Sequence, residues 1–192
     1  GNDIHRSTKT VAPTTAYGIY NYYGIGGKVE GNKIHDMAAP GVTSTSTFYG
    51  MYNYPYNNTT ATPMLVANNL IYNMGNYTGT QYLMYNNGPG MKIYHNTIDH
   101  SVVTTGTGTI YGMYNITQMT SGDIKNNNIT ITGGTTGAKY GIYQSTATVT
   151  GINYQKNNVY LNSTQTGTQV PYYYGSAYAP LAAFQAAHPA ME

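Results

Sequence analysis

Cysteine and tryptophan are absent from this 192-residue chain, and only 7% of its residues are charged. Without cysteine the fold cannot rest on disulfides, although an extracellular home stays open to it. The few charges are scattered and sum to a formal +2, so nothing resembles the basic footprint that grips nucleic acid. No apolar run is long enough to enter a membrane as a helix, and no segment reads as a signal peptide. No convincing helical stripe precedes residue 180. Glycine and tyrosine are abundant instead, at 23 each. So little charge would bring disorder or aggregation unless the apolar residues were regularly spaced.

They are regularly spaced. A pattern of apolar-x-x-Asn-x-apolar reads Val29, Asn32, Ile34; Val66, Asn69, Ile71; Ile93, Asn96, Ile98; Ile124, Asn127, Ile129; and Tyr154, Asn157, Val159. Asn2 and Ile4 form the second half of a further copy. The final apolar residues are separated by 30, 37, 27, 31 and 30 positions, so the motif is constant while the connections vary. A second motif keeps the same rhythm: Tyr17-Gly18-Ile19-Tyr20, Tyr49-Gly50-Met51-Tyr52, Tyr82-Leu83-Met84-Tyr85, Tyr111-Gly112-Met113-Tyr114 and Tyr140-Gly141-Ile142-Tyr143, with a degraded copy near Tyr173 to Gly175. An amide follows each of the five: Asn21, Asn53, Asn86, Asn115 and Gln144.

Apolar residues two apart, flanked by Gly, Asn and Thr, are strand and turn chemistry. Three short strands and three bends in about thirty residues make one rung of a solenoid. The expected fold is all-β: a right-handed parallel β-helix of about six rungs over residues 1–175, its handedness taken from the usual crossover rule. Residues 176–192 form a C-terminal extension with a short helix that caps or flanks the solenoid. Pro180 suits a first-turn position, and Leu181 and Phe184 share a face. Because Gly1 falls in mid-rung, the chain is expected to be a piece of a longer protein, with neighbouring domains.

The recurring Asn has a mechanism. Asn2, Asn32, Asn69, Asn96, Asn127 and Asn157, stacked at one bend of successive rungs, are expected to form a structural hydrogen-bonded ladder. The tyrosine motif suggests a surface. Alternation pairs the first Tyr with the Ile or Met on one face, and the Gly with the second Tyr on the other. With Ile19, Met51, Met84, Met113 and Ile142 inward, Tyr20, Tyr52, Tyr85, Tyr114 and Tyr143 point outward as an aromatic ridge for sugar rings or a partner surface. The same column also serves simple strand stability.

Catalytic chemistry is harder to place. The acidic residues are Asp3, Glu30, Asp36, Asp99, Asp123 and Glu192. Lyases and hydrolases need clustered carboxylates, and the only pairing at hand, Asp36 with Asp99, spans two rungs. His95, Asp99 and His100 cluster in sequence, and His5 and His35 share a rung position where two stacked imidazoles could hold a metal, yet no third ligand is obvious in that column. No catalytic residue, metal site or cofactor is assigned. The threonine runs occur in segments of variable length, which argues against a regular ice-binding array.

The Asn-x-Ile rungs, the Tyr-Gly-Ile/Met-Tyr strands and the closing sequence from Tyr178 to Glu192 together resemble the right-handed parallel β-helix repeat regions of large secreted proteins of Bacteroidetes. The resemblance covers essentially the whole chain. It implies the type IX secretion route and a non-enzymatic part of a bacterial cell-surface adhesin, linked to gliding motility or biofilm attachment. On that reading the chain is a rigid stalk with a polysaccharide- or surface-binding face. A polysaccharide lyase or glycoside hydrolase is the alternative, and a phage tail-spike segment a third reading.

Overall fold

The computed structural model describes residues 1–116, 118–146, 151–179 and 181–189. Pro180 and the final residues 190–192 of the extension lie outside these, as does the side chain of Leu181. The described chain winds into a parallel β-solenoid with three long sheets and one short helix. The six-stranded first sheet follows each recurring Asn: Asp3–Ile4, Lys33–Ile34, Leu70–Ile71, Thr97–His100, Asn128–Ile131 and Asn158–Leu161. The second holds the tyrosine motifs in Ala16–Tyr22, Phe48–Tyr54, Gln81–Asn86, Ile110–Asn115, Lys139–Gln144 and Gln169–Tyr174. The third precedes each Asn: Lys28–Glu30, Met64–Ala67, Met91–Tyr94, Ser121–Lys125 and Gly151–Gln155.

The apolar motif residues in the strands pair with their counterparts one rung away. Ile34 lies on Ile71, Ile98 on Ile129, and Val66 between Val29 and Ile93. Met51, Met84 and Met113 stack in one column between Ile19 and Ile142. These side chains fill a thin continuous core in which Ile34, Met51, Val66, Ile71, Met84, Ile93 and Ile98 are fully buried. In-register stacking of like on like leaves neighbouring apolar side chains little room to be wrong.

Uneven steps are absorbed at the corners. The longest step places residues 55–63 between the second and third sheets, and the shortest places only 87–90 there. A consequence is that the threonine segments, variable in their flanks, align across rungs, contrary to the expectation from sequence. Phe48, Gln81 and Ile110 stack directly. The threonines just before them, Thr47, Thr80 and Thr109, therefore stack as well.

The bend before each Asn needs left-handed backbone, supplied by Gly31 (φ 68), Asn68 (φ 55), His95 (φ 54), Asn126 (φ 56) and Lys156 (φ 54). Non-glycine residues held there cost on the order of 1–3 kcal/mol each and persist because the surroundings over-determine them. The next residue does so. Asn2, Asn32, Asn69, Asn96 and Asn127 each donate from Nδ2 to Oδ1 of the Asn one rung on, at 2.9–3.0 Å. Their backbone N–H groups donate to the same oxygens at 3.0–3.1 Å. The second Nδ2 hydrogen of Asn69, Asn96, Asn127 and Asn157 goes back to the carbonyl of Val29, Val66, Ile93 and Ile124. Asn69, Asn96 and Asn127 therefore have their amides satisfied while almost wholly buried.

At its C-terminal end the second sheet stops on Ala177–Tyr178, which runs antiparallel against Tyr172 and Tyr173. The helix Leu181–Ala187 follows. Its Phe184, 2% exposed, stacks on Tyr172 with ring centroids 4.9 Å apart and meets Tyr154, Tyr174 and Tyr178 edge-on.

Candidate functional site

The tyrosine-bearing sheet departs from simple alternation, and this shapes its outer face. In Phe48–Tyr54 the order of burial is buried, partly exposed, buried, buried, partly exposed, buried, partly exposed. Gly50 and Met51 are thus consecutive inward residues, and both Tyr49 and Tyr52 face out. Pairing skips the glycine position in every rung: Tyr49 pairs with Tyr82 and Met51 with Met84, but Gly50 and Leu83 make no register pair. The first tyrosine of each motif is therefore outward, a correction to the alternation argument.

The cause is contact across the core. A Cβ on Gly18 would lie 2.5 Å from Ile34 Cγ2, and one on Gly141 2.2 Å from Val159 Cγ1. Gly112 is equally close to Ile129 at 2.6 Å. The first sheet presses its apolar column onto the glycines, and the strand yields by turning two residues inward. Pro171 takes the same position in the last strand, where the absent N–H is not needed for register pairing. The sequence signal was the glycine itself, present in four of the five motif copies.

Two columns of stacked rings result. Tyr17, Tyr49, Tyr82, Tyr111 and Tyr140 stack with centroids 4.8–5.2 Å apart and planes within 11°. Tyr20, Tyr52, Tyr85, Tyr114, Tyr143 and Tyr173 stack at 4.3–5.4 Å with planes within 24°. Between columns the rings meet edge-to-face, as in Tyr82 with Tyr85 at 5.3 Å and with Tyr114 at 5.0 Å. Such pairs are each worth about 0.5–1.5 kcal/mol beyond area burial. Exposure is greatest at the first rung, where Tyr17 and Tyr20 are 41% and 53% accessible. Burial and then the neighbouring phenols push Tyr49 up to about 12, and burial with Tyr173 and Tyr114 does the same to Tyr143. The hydroxyls of Tyr49 and Tyr143 stay protonated throughout the physiological range.

Stacking has a chemical consequence. Along the columns each ring face is covered by the next ring, so the surface offers ring edges and two rows of hydroxyls, repeated once per rung. It cannot seat a sugar flat on an aromatic face except at the ends of the columns.

Beneath this face runs a second amide column. Asn53 donates to Asn86 at 3.1 Å, Asn86 to Asn115 at 2.8 Å, and Asn115 to Tyr154 Oη at 3.3 Å, which in turn donates to Gln144. Asn21 turns instead to Met64 Sδ at 3.5 Å. The outer lattice is thus backed by a hydrogen-bonded row.

Elsewhere two small clusters of charged groups form, around His35 and around Asp123. His35 is held by Asp3 Oδ1 at 2.6 Å and Asp36 Oδ2 at 2.7 Å, and Asn73 donates to Asp36. Its ring stacks between His5 and Tyr72. Burial opposes its charge, but the bonds to Asp36 and Asp3 outweigh this and raise its pKa. Asp123 accepts from Lys125 at 3.0 Å, Tyr94 at 3.0 Å and Asn153 at 3.2 Å. Burial works against the ionised form of Asp123, and these donors prevail to lower its pKa.

The sequence cluster of His95, Asp99 and His100 comes apart. His95 occupies a left-handed bend, while His100 is fully buried and hydrogen-bonded to Gln81 Oε1 at 3.0 Å. Among the described residues no three His, Cys, Asp or Glu side chains converge as a metal site, and no helix is long and apolar enough to cross a membrane. Comparison with protein-family models, curated proteins and solved structures yields no match.

Proposed function

We propose that this chain is a rigid, non-catalytic segment of a bacterial extracellular adhesin, at once a stalk and an adhesive face. The observation that carries the reading is the tyrosine lattice, eleven rings in two columns on the outer side of one sheet. Its charge-free rows of hydroxyls repeat with every rung, which suits a long, straight, hydroxyl-rich partner such as a polysaccharide or a glycan-coated surface. Ladders of buried amides on two sides of the core supply the stiffness a stalk needs. The cell-surface setting, with type IX export and Bacteroidetes as its source, comes from the sequence resemblance and forms part of the proposal.

The test replaces hydroxyls without disturbing the stacks. Tyr52→Phe, Tyr85→Phe and Tyr114→Phe combined keep the rings and remove three hydroxyls of one row. On a glycan array and in pull-downs with insoluble polysaccharides, wild-type protein is expected to bind and the triple variant to lose at least tenfold in affinity with its melting temperature little changed. Equal binding by both would remove the tyrosine row from the function.

A further inference from the structure

Beside the tyrosine lattice, Thr45, Thr47, Thr78, Thr80, Thr107 and Thr109 wall an open groove of about 660 Å³ floored by glycine backbone. The register puts these residues in two columns. Phe48, Gln81 and Ile110 stack on one another, with Phe48 N–H donating to Thr80 O at 3.0 Å and Gln81 N–H to Thr109 O at 2.9 Å. The threonines one and three residues earlier must then stack too. Ser46 lies between them in the first of these rungs and glycine in the next two, where room is short: a Cβ on Gly79 would sit 2.4 Å from Thr45 O, and one on Gly108 2.1 Å from Gly79 C. The same columns continue as Thr136-Gly137-Ala138 and Thr166-Gly167-Thr168, because Ile110 pairs with Lys139 and Lys139 with Gln169.

Several threonines elsewhere in the chain spend their hydroxyls on the protein itself. The hydroxyls of Thr59, Thr62, Thr104, Thr135 and Thr136 all bond within their own corners or to adjacent rungs. Within the groove only Thr78 reaches a partner, Ser44 O at 3.4 Å. Thr45, Thr47, Thr80, Thr107 and Thr109 make no side-chain hydrogen bond to any described residue. Five unspent hydroxyls therefore line one concavity at the rung repeat of about 4.8 Å. None of the lining residues is charged. An anionic polymer would lose solvation there without meeting a counter-charge, whereas a neutral one exchanges water hydrogen bonds for threonine ones.

We propose that this groove binds an uncharged linear polysaccharide lying along the solenoid axis, its hydroxyls paired with those of the two threonine columns. The Thr47 column is two residues from the Tyr49 column, so groove and lattice share a rim. The inference rests on the adhesive reading in taking a glycan as ligand, and it adds the site and the polymer class.

The experiment is affinity electrophoresis of the whole chain in gels containing neutral polymers (a β-glucan, a mannan) or acidic ones (polygalacturonate, alginate). Two variants run beside it: Thr47→Val, Thr80→Val and Thr109→Val combined, and the Tyr→Phe triple. Valine keeps the β-branched shape and removes only the hydroxyl. The expected result is retardation of wild type by a neutral polymer, no retardation by the acidic ones, and a loss of tenfold or more in the threonine variant with unchanged circular dichroism. Loss in the threonine variant alone assigns the groove and removes the tyrosine row from the function. Loss in the tyrosine variant alone overturns the groove and leaves the adhesive reading standing. Preference for an acidic polymer overturns the neutral assignment. Inhibition of ice recrystallisation with no polysaccharide bound overturns both and makes the columns a template for ordered water. If the triple threonine variant misfolds, Thr45→Val with Thr107→Val, both exposed, serves in its place.

Discussion

Single residues buried in this solenoid are held by partners one rung away, and two histidines make that dependence measurable. His100 is fully buried, and since Gln81 donates its own amide to Tyr77 O at 2.9 Å, His100 Nε2 must carry the proton for Gln81 Oε1. Its Nδ1 is left without a partner among the described residues. Burial lowers its pKa to about 4. The unfolded chain, titrating near 6.5, binds its proton first, so stability present above about pH 6.5 is lost as pH falls toward 4, on the order of 3 kcal/mol. Asp123 adds its own loss only below the ordinary aspartate range. His35 has the opposite sign: its raised pKa contributes stability below about pH 6.5 that disappears as pH rises through the folded value. Melting curves from pH 4 to 9 should therefore show a maximum between these limits. The variant His100→Gln, which can still donate to Gln81, should flatten the acid side alone. An unchanged acid limb would mean that His100 is not the group responsible.

At the scale of the strand, the paired inward turn at Gly18, Gly50, Gly112 and Gly141 decides which tyrosines face out. A Cβ on Gly50 would lie 2.3 Å from Leu83 O, a backbone atom that cannot swing aside. Gly50→Ala should therefore cost about 1–3 kcal/mol in urea unfolding, the range for overpacking a well-filled core. Leu83, buried at the same position, and Pro171 in the last strand mark the rungs where a side chain is accommodated. The tyrosine ladder responds to the same change, because displacing the second sheet shifts Tyr49 and Tyr52 together. A Gly50→Ala variant as stable as wild type would refute the close approach of the neighbouring strand at Leu83.

For the whole molecule, the relevant property is that each rung touches only its neighbours, so stability is a sum of rungs and interfaces. The C-terminal end depends on one aromatic plug, Phe184 on Tyr172 and Tyr154. Phe184→Ala should cost about 3–5 kcal/mol. Its effect should be local in hydrogen exchange, with amides of Gly151–Gln155 and Gln169–Tyr174 losing protection while those of Met64–Ala67 keep theirs. Uniform loss along the chain would show the solenoid unfolding as one unit. The buried Lys139 near this end, its ammonium donating to the carbonyls of Thr166 and Gln165, has its pKa lowered by burial and adds a polar anchor to the same region.

Much of this architecture is a local matter and was readable without coordinates. The recurrence of Asn between apolar residues and of the tyrosine motif specifies rung length, strand count and parallel stacking, because a motif that repeats in sequence and must bury one face stacks on its own copies. Which residues share a column followed from the same register. What alternation could not supply was the outward turn of Tyr17, Tyr49, Tyr82, Tyr111 and Tyr140, since it depends on Ile34, Ile71 and Ile129 pressing across the core from another sheet. Likewise the inward burial of His100 and the alignment of the threonines were hidden by connections of unequal length. Those are distances between segments far apart in the chain, and only the closed rung brings them within reach.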